Sequence, residues 1–221
     1  MNNNRMENAV RFYILATQLK YKIRSGWDNH HWNIKGRKES VAEHIYGTCI
    51  LAISISSEFN CKINLDKVLR MLVLHEIGEV LIGDITPFDN VTPEQKFKKE
   101  HEAIEKIVDG MILKEEIISL LNEFDEHKTK ESVFAFYCDK LEANLQSKVY
   151  QDKGCHHSLN DQKNNKVMNS NKIKKRLSSG AQTPFDVWYE SDKEIFKDDV
   201  VFSQFLDYVK NHNTNDFIKI K

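Results

Sequence analysis

Apolar residues, among them Val10, Tyr13, Ile14 and Leu19, recur at helical spacing from Met6 to Ile23. The rhythm then breaks into RSGWDNHHWNIKGRK, a Gly- and Trp-containing connection of the kind that can carry ligand contacts. Ser40 and Glu43 form an S-x-x-E capping box, which predicts a helix from Val41 with Ile45, Cys49, Ala52 and Ile55 turned inward. His44 lies in its first turns. Asn64 or Asp66 caps the next helix, and its stretch VLRMLVLHEIGEVLIG is apolar enough to be buried on several sides, with a stop at Gly83.

Thr92-Pro93-Glu94-Gln95 supplies a cap, a first-turn proline and a box-closing glutamine, opening a helix to about Val108. Two further helices are predicted, roughly Lys114 to Phe124 and Lys130 to Tyr150. From 151 to 182 the chain turns rich in Asn, Ser, Lys and His, and it reads as a polar, mobile insertion. Aromatic and aliphatic residues return from Pro184, so 183–221 should hold a helical segment that packs on a core formed by 1–150.

Composition agrees with an all-α chain: 8 glycines and 3 prolines in 221 residues are too few for the turns of an all-β fold. The net charge of −1 provides no global attraction for nucleic acid or an anionic membrane. The Lys-rich run KNNKVMNSNKIKKR lacks interleaved aromatics and reads as a solvated segment. Cys49, Cys61, Cys138 and Cys155 are scattered without a CxxC pair, and no leader or membrane-length apolar run is evident. A cytoplasmic setting is the expectation. Cys155-His156-His157 reads as incidental rather than as a metal site.

The densest polar signal sits inside the most apolar stretch: His75, Glu76, Glu79 and Asp84 in LHEIGEVLIGD. Ionisable side chains are rarely buried unless paired or bound to metal, and helical spacing lets the first three project to one side. Imidazole with carboxylate suits a divalent transition ion, while a buried His–Glu ion pair is the plainer alternative. His44 and Asp139, the latter in FYCDKLEANL, could complete a shell, or could be a satisfied core histidine and an ordinary ion-pair partner.

The order His44, His75-Glu76, Asp139 on successive helices resembles the HD-domain metal-dependent phosphohydrolase superfamily, whose pattern is H…HD…D. ESVAEH, LHEIGEVLIGD and CDKLEANL resemble more narrowly its 5'-deoxynucleotidase branch, over roughly Val10 to Val149. The resemblance implies an HD-domain helical bundle of five or more core helices with a C-terminal docking helix. It implies His44, His75, Glu76 and Asp139 as metal ligands, Glu79 and Asp84 as catalytic acids, and Arg24, Trp27 and Arg37 as substrate-binding residues. One departure stands out, because the family's signature aspartate is Glu76 here.

The implied activity is hydrolysis of 2'-deoxynucleoside 5'-monophosphates to nucleoside and phosphate. One divalent ion is expected as cofactor, drawn from Co, Mn, Zn, Ni, Fe or Mg. The expected partner is a small-molecule nucleotide, not a membrane or nucleic acid, and the oligomeric state, a homodimer included, is left open. The alternatives are another HD-type nucleotide phosphohydrolase or phosphodiesterase, or a non-catalytic nucleotide or metal sensor.

Overall fold

The computed structural model describes residues 3–86 and 91–219. Their architecture is all-α, and among the described residues the sole β-type pairing is an isolated antiparallel bridge between Ile23 and Ser40. The helices are α1 Asn3–Ala16, α2 Val41–Phe59, α3 Leu65–Leu74, α4 Glu79–Ile82, α5 Pro93–Ile107, α6 Lys114–Glu126, α7 Lys130–Asp152, α8 Asn171–Ser178, α9 Pro184–Ile195 and α10 Val200–Asn211. They fall into two compact units. The first holds residues 1–24 and 39–136, the second 25–38 and 137–221, so the two units divide α7 between them.

In the first unit the helix starts obey local chemistry. Ser40 Oγ accepts from the Glu43 amide at 3.3 Å while the Ser40 amide donates to Glu43 Oε2 at 2.9 Å, and Thr92 and Gln95 close the same reciprocal box on α5. Asn64 caps α3 through the Lys67 amide. The core gathers Ile77, Ile104, Ile107, Val108, Ile117 and Leu121, with Phe12, Leu74 and Val80 packed against it. Burial of this apolar set, more than propensity, holds α5 and α6 in place.

The single apolar helix expected over 65–82 is broken. From His75 to Gly78 the chain forms turns, and α4 is one short turn. Amides here donate three residues back rather than four: Ile77 to the Leu74 carbonyl at 2.9 Å, Glu79 to Glu76 at 3.0 Å and Val80 to Ile77 at 3.3 Å. A tightened turn of this kind stacks positions i and i+3 over one another. Glu76 and Glu79 therefore share a face. Gly78 is where α5 comes close, since a Cβ there would lie 3.3 Å from the Glu100 carbonyl oxygen. The left-handed φ of +80° at Gly83 ends the element.

In the second unit, Trp27 packs edge-on against Tyr150 at 5.3 Å and tilted against Trp188 at 5.7 Å between ring centroids. The polar stretch 151–182, expected as a polar, mobile insertion, contains a 3-10 turn and α8 and buries Gln162, Val167 and Ile173. Its order comes from hydrogen bonds that apolar periodicity cannot reveal. Asn165 Nδ2 donates to the His31 carbonyl at 2.6 Å, the Lys166 amide to His30 at 2.9 Å and the Lys35 amide to Cys155 at 2.8 Å. After it come two helices, α9 and α10, rather than one. Thr183 and Asp186 box the start of α9 and Asp199 caps α10.

Candidate metal centre

Three elements of the first unit converge on one polar cluster. The Ile23–Ser40 bridge, flanked by the Arg24 amide to the Glu39 carbonyl at 3.0 Å and the Val41 amide to Lys22 at 2.8 Å, clips Arg24 beside the start of α2. His44 sits one turn into α2 and is fully buried. His75, Glu76 and Glu79 come from the tightened turn after α3, and Asp84 follows Gly83.

The His75 Nδ1 lies 2.7 Å from the Leu72 carbonyl oxygen. A carbonyl can only accept, so Nδ1 carries the proton and the lone pair of His75 is on Nε2. That nitrogen stands 3.5 Å from Glu76 Oε1, and His44 Nε2 stands 3.7 Å from the same oxygen. Both separations exceed a good hydrogen bond, yet they match donors that share a transition ion through bonds of about 2.0–2.2 Å. His44, His75 and Glu76 each offer a ligand atom within 4.8 Å of the others'. The mixed nitrogen and oxygen donors suit a divalent transition ion.

The acids beside them strengthen the case for a cation. Glu79 is 1% exposed. Burial, reinforced by the neighbouring charges of Glu76 and Asp84, holds its carboxyl well above the usual range, and Arg24 only partly offsets this. With acidic Glu76 and Asp84 as its neighbours, a proton or a cation would relieve the repulsion among the three carboxyls. Arg24 Nη1 reaches Glu76 Oε1 at 2.9 Å and Asp84 Oδ2 at 3.7 Å. Phe124, 5.3 Å from the His75 ring, closes an apolar wall.

Of the residues expected from sequence, the first unit thus brings together Arg24, His44, His75, Glu76, Glu79 and Asp84. Trp27, Arg37 and Asp139 belong to the second unit. There Trp27 is buried among aromatic rings, Arg37 is exposed, and Asp139 is a 6% exposed residue of α7 whose Oδ2 lies 2.7 Å from Lys140 Nζ. Nothing in the apolar rhythm singles out Lys96 and Glu100, which look like an ordinary i,i+4 pair on α5. Their Nζ–Oε1 distance is 3.4 Å, and burial pushes the Glu100 carboxyl up to about 7 against the opposing pull of Lys96. Only the approach of α5 to the turn at Gly78 brings their helix against the element that carries Glu76 and Glu79.

The sequence matches the family described as HD domain over residues 16–180. The chain belongs to the HD-domain family. Among curated relatives it is 33% identical over 153 residues to the 5'-deoxynucleotidase HDDC2 of Dictyostelium discoideum, covering 66% of this chain and 79% of that protein. It is 32% identical over 147 residues to the human protein of the same name, covering 66% and 69%. The fold recurs in a Listeria innocua HD-domain phosphohydrolase with a TM-score of 0.62 at 17% identity, covering 96% of this chain and 90% of that one. The PH0347 protein of Pyrococcus horikoshii matches with a TM-score of 0.63 at 21% identity, covering 90% and 97%. Within this HD-domain chain, no helix among the described residues is long and apolar enough to cross a membrane.

Proposed function

We propose that this chain is a metal-dependent 5'-deoxynucleotidase that releases phosphate from 2'-deoxynucleoside 5'-monophosphates. The observation that carries the reading is the convergence of His44 Nε2 and His75 Nε2 on Glu76 Oε1, with Glu79 and Asp84 beside them. The likeness to proteins named 5'-deoxynucleotidases supports the choice of ester.

His44, His75 and Glu76 would hold one divalent ion, with Asp139 as fourth ligand in keeping with the HD-domain pattern. When bound, the ion supplies Lewis-acid polarisation of a phosphate oxygen and of water. The chain's own groups do the rest. The Leu72 carbonyl fixes the His75 tautomer. Arg24 meets the phosphate, and Trp27 and Arg37 are assigned to the sugar and the entering anion. Asp84 orients the attacking water and accepts its proton, and Glu79 delivers a proton to the leaving 5'-oxygen of the nucleoside. A cytoplasmic setting belongs to the same reading.

A panel of 5'-nucleotides assayed for phosphate release with Co, Mn, Zn, Ni, Fe and Mg tests the assignment. Deoxynucleotide monophosphates should be the best substrates. Preference for a triphosphate or a diester would replace the ester assignment, and metal binding without turnover would leave a sensor.

A further inference from the structure

We propose that Lys96 is a second phosphate-binding cation of this site, acting with Arg24 to favour the dianionic phosphate of a monoester over the monoanionic phosphate of a diester. The proposal rests on the phosphohydrolase reading above and deepens it.

Lys96 stands in the first turn of α5, its amide bonded to the Thr92 carbonyl at 2.9 Å. One turn further on, the Glu100 backbone lies against Gly78, within the turn that carries Glu76 and Glu79. Helical side chains lean towards the N-terminus of their helix, so a residue one turn before this contact has its ammonium group near the same acids. Burial acts to lower the Lys96 pKa, but the charges of Glu100, Glu76, Glu79 and Asp84 outweigh it and hold it above the ordinary value. The Lys96 side chain is 37% exposed, which leaves it partly open to solvent.

An isolated i,i+4 Lys–Glu pair on a surface contributes little and would sense no acids from another element. Here the pair stands on the helix that packs against a cluster in which Arg24 is already engaged by Glu76 and Asp84. A phosphate dianion entering such a cluster needs more positive charge than one guanidinium supplies. Lysine suits the task because its ammonium on a flexible stem can leave Glu100 for a phosphate oxygen with small rotations. A diester, with one charge fewer, gains less from the second cation.

The test uses the metal-loaded full chain and its Lys96→Met and Lys96→Arg variants. Calorimetry with inorganic phosphate is run beside kinetics on a deoxynucleoside 5'-monophosphate. Lys96→Met should weaken phosphate binding and raise KM by roughly tenfold, with kcat changed far less and metal content unchanged. Lys96→Arg should restore most of both. Wild-type phosphate affinity in Lys96→Met, loss of its metal, or no phosphate binding by the wild type would overturn the proposal. If the wild type hydrolyses no 5'-monophosphate yet binds phosphate in a Lys96-dependent way, the nucleotidase reading fails and the Lys96 site stands.

Discussion

Arg24 and Glu76 form a partly buried ion pair at 2.9 Å, which ties the cation expected to meet phosphate to the residue that departs from the family's aspartate. The same Glu76 oxygen faces both histidines, so its charge is shared between Arg24 and whatever the histidines bind. Glu76→Gln should therefore weaken metal binding, since it removes a negative charge from the ligand set. Glu76→Asp keeps the charge and shortens the reach by about one C–C bond, roughly 1.5 Å. It should retain binding, with a changed order of preferred metals. Metal titration of both variants beside the wild type checks this, and an unchanged affinity in Glu76→Gln would make Glu76 only the partner of Arg24.

The ligand set makes a second prediction. His44→Ala, His75→Ala and Asp139→Ala should each lose the bound ion while circular dichroism stays helical. Elemental analysis of the purified variants reads the outcome, and full occupancy in any one removes that residue from the shell.

Catalyst and ligand should separate at the neighbouring acids. Glu79→Gln and Asp84→Asn should keep their metal but lose rate by roughly 10²- to 10⁴-fold, the usual contribution of acid–base groups. Single-turnover phosphate release measures it. Wild-type rates would take both residues out of the mechanism.

Asp192 in the second unit sets a pH dependence of stability. It is 3% exposed, accepts from Asn144 Nδ2 at 3.1 Å, and burial raises its carboxyl to about 7 despite Lys140 and Lys172. A folded-state value above the ordinary 3.8 means that the folded chain binds the extra proton. This contribution is fully present below the ordinary value and is lost as pH rises through about 7. Glu100, also raised to about 7, acts in the same direction. Asp192→Asn should flatten part of the decline and stabilise the chain above neutrality, by an amount on the order of a few kcal/mol. Urea midpoints near pH 5 and pH 8 compare the two, and parallel profiles would exclude Asp192 as a source.

What the sequence determined by itself is local. The capping boxes at Ser40 and Thr92 set the starts of α2 and α5, because the groups that satisfy one another are three residues apart in the chain. The costly acids in LHEIGEVLIGD were visible for a related reason, since charge inside an apolar run needs a partner wherever the run packs. Tertiary structure alone decided the break after Leu74, the pairing of Arg24 with Glu76, the position of Lys96 and the folding of 151–182. Each depends on a contact between residues distant in sequence: Gly78 with Glu100, Arg24 with Glu76, Asn165 with His31. Periodicity records which face of a helix is buried, but not what lies against it, and the chemistry of this centre is set by those neighbours.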